Sequence, residues 1–145
     1  MYPAREKLEV PWQLGYHHAM REDVRNWFKQ AEADLRSARN CRTAGDYYMS
    51  VFASQQAAEK ALKSLSMLKL KEYPKGHSIF YLAQRLEVPV SMLSGIRDLN
   101  PEYLSTRYPD MAAGVPAELY DDTIAERHFK TAQEVLEWVR EQIRE

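Results

Sequence analysis

The sequence predicts an all-α protein, an up-and-down antiparallel helical bundle of three long and two short helices. Three observations predict it. Apolar residues recur on a 3.6-residue period over three long stretches, about residues 22–44, 46–70 and 122–144. All connections but one are short, which makes successive helices antiparallel neighbours. No stretch alternates apolar and polar residues as a half-buried strand would.

Residues 1–20 carry Pro3, Pro11 and Gly15 with no sustained period. Leu8, Val10, Trp12, Leu14 and Tyr16 are too apolar for a free tail, so these residues are expected to form an arm packed on the body or on a second subunit. The remainder, 21–145, is the bundle domain. Its first long helix is expected over about Glu22 to Ala44, with Val24, Trp27, Phe28, Ala31, Leu35 and Ala38 as the apolar stripe and Asp34 at its edge. Gly45 ends that helix and Asp46 caps the next. The central helix, Asp46 to Leu70, has two faces that suit neighbours. Tyr47, Tyr48, Val51, Phe52, Ala58, Leu62 and Leu65 form a broad apolar stripe. Ser50, Ala53, Ser54, Ala57, Ala61 and Ser64 form a small-residue flank that lets another helix come close. Gln55 falls inside the apolar stripe, where an amide must find partners, and it is expected to bond to backbone.

After a turn-rich break at 71–77, Ser78 caps a short helix to Leu86, and Ser91 caps another to Leu99. Residues 100–119 hold three prolines and a glycine and are expected to be irregular, the kind of long connection that carries function. The last helix runs from about Asp122 to Arg144. Ala125, Phe129, Ala132, Val135, Leu136, Val139 and Ile143 are its stripe, and Trp138 points off it, towards the arm or a dimer contact.

Composition narrows the functional classes. A chain of 145 residues that is 45% apolar and 28% charged suits one soluble domain with one core. The net charge is −1, so no whole-molecule field attracts nucleic acid, and such a role must rest on a local patch. One cysteine, Cys41, excludes an intrachain disulfide and a cysteine metal cluster. The absence of an 18-residue apolar run excludes a spanning helix, and a cytoplasmic location is expected. His17 and His18 lack companions at ligand spacing, so no metal and no cofactor are expected.

Phosphate-cradling glycine loops, His-Glu-x-x-His and nucleophile elbows are absent. The polar candidates are Gln56, Lys60 and Lys63 on the central helix, His77 in the first break, and Tyr103, Arg107, Tyr108 and Asp110 in the long connection. Cations with a histidine suit a phosphate, and a tyrosine suits a base. Each has a plainer reading. Lys60 and Lys63 read as a solvated face with a Glu59–Lys63 ion pair, which the pattern alone favours. His77 can help cap the next helix, and Arg107 can pair with Asp110 or bond to loop carbonyls.

Three separated motifs add a resemblance. FASQQAAEKALKSL (Phe52 to Leu65), KGHSIFYLAQRL (Lys75 to Leu86) and YLSTRYPD (Tyr103 to Asp110), with WFKQAEADLRSAR (Trp27 to Arg39) and AQEVLEWV (Ala132 to Val139), make the chain resemble the HEPN domain family over about residues 22–144. That resemblance implies an all-α bundle, usually a homodimer, and often a minimal nucleotidyltransferase as partner in a toxin–antitoxin pair. It implies one of two roles. Some members are metal-independent ribonucleases with an Arg and a His separated by four to six intervening residues; others bind nucleotides or protein partners. Here Tyr108-Pro109-Asp110 follows Arg107 and no histidine stands at that spacing. The resemblance therefore implies a binding module for a nucleotide or RNA phosphate, with Lys60, Lys63, His77 and Arg107 on phosphate and Tyr103 or Tyr108 on the base. A ribonuclease with an atypical Arg107–His77 site and a purely structural interaction bundle are the alternatives.

Overall fold

The computed structural model describes the backbone of residues 10–144, with side chains from residue 21. Three long helices make the frame: α1 (Val10–Thr43), α2 (Tyr47–Leu70) and α8 (Asp122–Arg144). Between α2 and α8 lie two short helices, α3 (Ile79–Arg85) and α4 (Val90–Leu99), and three single turns, α5 (Glu102–Ser105), α6 (Pro109–Ala112) and α7 (Pro116–Leu119). Among the described residues there is no strand.

The first helix starts at Val10, not near Glu22. Pro11 sits in its first turn, where a missing N–H costs nothing. Residues 10–20 thus belong to the helix rather than to an extended arm; the first nine residues of the arm, and the side chains of His17 and His18, lie outside the described residues. Gly45 adopts φ 84°, and the Gly45 and Asp46 amides donate back to the carbonyls of Arg42 and Cys41. This is a Schellman ending, and it turns the chain directly into α2. Asp46 occupies the position before α2, but its side chain makes no capping bond there, contrary to expectation.

The central placement of α2 follows from its small residues. Ser50, Ser54, Ala57, Ala61 and Ser64 are fully buried, and α2 packs on both α1 and α8. Its Leu62 and Leu65 meet Ile79, Ile96, Leu99, Val135, Leu136 and Val139 in one core. Trp138 is half-buried against that same core.

Ser78 caps α3, accepting from the Tyr81 amide at 3.3 Å. The next helix starts at Val90 rather than being capped by Ser91, because extended Pro89 already leads the chain into it. The 100–119 segment is more regular than expected. Its prolines, which break long helices, stand at helix starts: Pro101 just before α5, and Pro109 and Pro116 as first residues of α6 and α7. Asp121 opens α8 by accepting from the Ile124 amide at 2.8 Å.

Candidate functional site

The polar face of α2 is one continuous hydrogen-bonded line. Lys60 Nζ donates to Asp34 of α1 at 2.5 Å and to Gln56 at 3.4 Å. Gln56 donates to Gln55 Oε1 at 2.8 Å, and Gln55 donates to Glu59 at 3.2 Å and to the His77 carbonyl at 3.4 Å. Gln55, 0% exposed, thus finds the backbone partner expected of it, along with two side chains. Glu59 is the junction. It takes Lys63 Nζ at 2.9 Å and has His77 Nδ1 3.1 Å from both carboxylate oxygens.

Lys63 is paired with Glu59, as the spacing suggested, but it is only 7% exposed, so it is no solvated face. Its ammonium also lies 5.7 Å from the Trp27 ring centre. The charges of Lys60 and Lys63 are therefore both met by carboxylates. Two short reaches explain why: α1 packs along α2 and brings Asp34 to Lys60, and one helical turn brings Glu59 to Lys63.

His77 carries the line outwards. Its side chain is 51% exposed, and its ring lies 4.7 Å from that of Tyr103, tilted by 33°. The Tyr103 carbonyl accepts from Arg107 Nε at 2.6 Å, the local i, i+4 bond that α5 sets up. The Arg107 guanidinium then sits 5.1 Å from the Phe52 ring centre and 5.0 Å from that of Tyr108. Of the two plain readings of Arg107, the loop carbonyl is realised. Among the described residues no carboxylate pairs with it, and Asp110, exposed in the first turn of α6, does not. Two flanking rings and one backbone bond hold the fork while leaving its terminal nitrogens open.

The sequence reading brought His77, Tyr103, Arg107 and Tyr108 into one list, and the structure sets them side by side. It missed Phe52, treated as stripe, and Asp34, left at a helix edge. The signal for Phe52 was its place two turns N-terminal to Glu59 on the same helix.

A second polar group lies elsewhere. Glu102 at the start of α5 accepts from the Tyr120 hydroxyl at 3.2 Å, and His128 Nε2 lies 3.6 Å from its other oxygen. Burial pushes the Glu102 carboxyl above its usual range and holds His128 down at about 4. No group of His, Cys, Asp and Glu among the described residues gathers as metal ligands.

A three-helix frame, a buried polar line and an arginine held open at its rim define an all-α helical module. The family model for the HEPN domain matches residues 24–142, and the chain belongs to that family. It is similar to TT1696 from Thermus thermophilus, at 39% identity over 81% of this chain and 96% of that one, with a TM-score of 0.75. It is equally similar to ST0689, an archaeal HEPN homologue, at 39% identity over 83% and 97%, TM-score 0.73. A Thermotoga maritima HEPN domain protein shares the fold at 24% identity over 81% and 97%, TM-score 0.65. Comparison with functionally curated proteins gives no match. Among the described residues no helix is long and apolar enough to cross a membrane.

Proposed function

We propose that the chain is a HEPN module that binds a nucleotide or polynucleotide phosphate through Arg107, with His77 and Tyr103 beside it and Tyr108 offering a stacking face to the base. One observation carries this: the Arg107 guanidinium is fixed by the Tyr103 carbonyl and two rings yet has no carboxylate partner. A pre-placed, unneutralised fork is what bidentate phosphate binding needs. Lys60 and Lys63 act behind it. Paired with Asp34 and Glu59, they hold the Gln55–Gln56–Glu59 line that positions His77, and they add little free charge. Asp110, exposed in the first turn of α6 shortly after Arg107 in the chain, disfavours phosphates that overshoot Arg107. The module works as a homodimer beside a minimal nucleotidyltransferase in a toxin–antitoxin-type pair. Exposed Val115, which the start of α7 leaves uncovered, is open to such a partner.

The test is a thermal-shift titration of wild type and Arg107→Ala against ATP, GTP and a short single-stranded RNA, with the RNA sized afterwards. A shift in wild type alone, with RNA intact, is expected. No response from either protein overturns the reading.

A second reading has its own observation. The Glu59 carboxylate against His77 Nδ1 fixes the ring so that Nε2, on the half-exposed side chain, can take a proton. With Arg107 on the phosphate, that pair would support metal-independent cleavage of RNA. Shortened RNA that requires both Arg107 and His77 would select this reading.

A further inference from the structure

The groove between α5, α6, α7 and α8 is unconnected with the Arg107 cluster in its chemistry. It encloses about 460 Å³, with Met111, Leu119 and Ile124 giving it an apolar side. Glu102, Tyr120 and His128 form its polar end. Three facts fix the character of that end. Arg127, the cation in the wall, is already engaged by Asp98 at 3.0 Å. The Glu102 carboxylate has a single hydroxyl donor, Tyr120, within bonding distance, and the His128 ring stands off at 3.6 Å. His128 is only 2% exposed, and its Nδ1 has no partner. A buried ring nitrogen without a partner is costly and uncommon.

Counting charges, Asp98 and Arg127 cancel, leaving Glu102 as the uncompensated group. With the Nε2 proton turned towards Glu102, Nδ1 is left as a buried acceptor out of reach of the groove. The groove thus offers a carboxylate acceptor, excess negative charge and an adjoining apolar wall. We infer that it binds an organic ammonium with a short apolar body, the ammonium donating to Glu102 and the body lying on Met111, Leu119 and Ile124. A primary ammonium has three donors and no acceptor, matching a carboxylate with acceptor capacity left beyond its one bond from Tyr120. A carboxylate or phosphate would face Glu102 and is repelled. Burial raises the proton affinity of Glu102 in spite of the Tyr120 bond and the Arg127 charge, as expected of a carboxylate drawn out of water.

Three probes with one body and different heads test this: n-butylammonium, n-butanol and n-butyrate, titrated against the full chain while the His128 ring resonances are followed by NMR. Butylammonium is expected to shift them saturably, with the other two at least about tenfold weaker, as loss of a charge-assisted bond implies. Glu102→Gln, which keeps the shape and the Tyr120 contact, is expected to lose that preference. Met111→Lys, at a position 52% exposed and so tolerant of change, is expected to block the site with its own ammonium. Arg107→Ala should bind the probe as wild type does, which separates this site from the phosphate site. Equal response to butanol or butyrate, undiminished binding in Glu102→Gln, or no saturable shift in a folded wild type overturns the inference.

Discussion

Glu59 shows how one side chain can hold a site. It is 4% exposed and serves Lys63, Gln55 and His77 at once. Glu59→Gln leaves the Lys63 ammonium buried without a counter-charge, which costs about 3 kcal/mol or more. Lys63→Met should cost less, since Glu59 keeps Gln55 and His77. Urea unfolding of the two variants, with unchanged m, checks the order; an equal or larger loss in Lys63→Met would contradict the assignment of Glu59 as the group the network depends on. The ion pair was legible from its i, i+4 spacing. Its burial was not, because only the packing of α1 and the nearby Trp27 ring removes Lys63 from water. Gln55 was the better clue: a long polar residue in an apolar stripe has to be satisfied, and that requirement foretold a backbone partner without saying which.

Among the elements, the single turns pack on α2 through α5 and α7 and meet α8 where His128 faces Glu102. His128 is held at about 4 by burial, below the 6.5 of an exposed imidazole. The folded state therefore binds fewer protons than the unfolded one. His128 contributes fully above pH 6.5, and that contribution is lost as the pH falls towards 4, by up to about 3 kcal/mol. Glu102, pushed upwards, acts with the opposite sign, gaining stability as it protonates. The difference between wild type and His128→Asn isolates the histidine: the variant should lose less stability between pH 7 and pH 4.5, and parallel curves would contradict the assignment. A second element-scale contact is the crossing of α4 on α8. A Cβ on Gly95 would meet Thr131 Oγ1 at 2.8 Å. Gly95→Ala should destabilise by about 1 kcal/mol despite better helix propensity, as overpacking does. Adding Thr131→Ala should restore most of the loss, and a double-mutant cycle reads that coupling. The long helices were legible because a 3.6-residue stripe persists over twenty residues. The turns in 100–119 were not, since four-residue helices carry no period; their prolines were read as breakers when they are helix starts.

At the scale of the whole molecule, charge decides how any nucleic acid is held. Lys and Arg number 20 against 21 Asp and Glu, and the cations on the α2 face and the α8 flank are matched by Asp34, Glu59, Asp98 and Glu126. Family and fold were readable from three separated motifs, yet no motif showed which charges remain free after folding, because pairing is a property of the packed helices. What remains open in the proposed site is chiefly Arg107. Binding that rests on one fork per subunit releases few counterions. For single-stranded RNA the slope of log affinity against log salt should then be about −0.7 for one subunit engaged, and about −1.4 for two. Affinity should be modest, with much of it coming from stacking on Tyr108, about 1–3 kcal/mol per base. Measuring RNA affinity across a salt series for wild type, Arg107→Ala and Tyr108→Ala separates the two contributions. Arg107→Ala should flatten the slope, whereas Tyr108→Ala should weaken binding equally at every salt concentration. A steep wild-type slope that survives Arg107→Ala would place the RNA on another surface and remove Arg107 from the site.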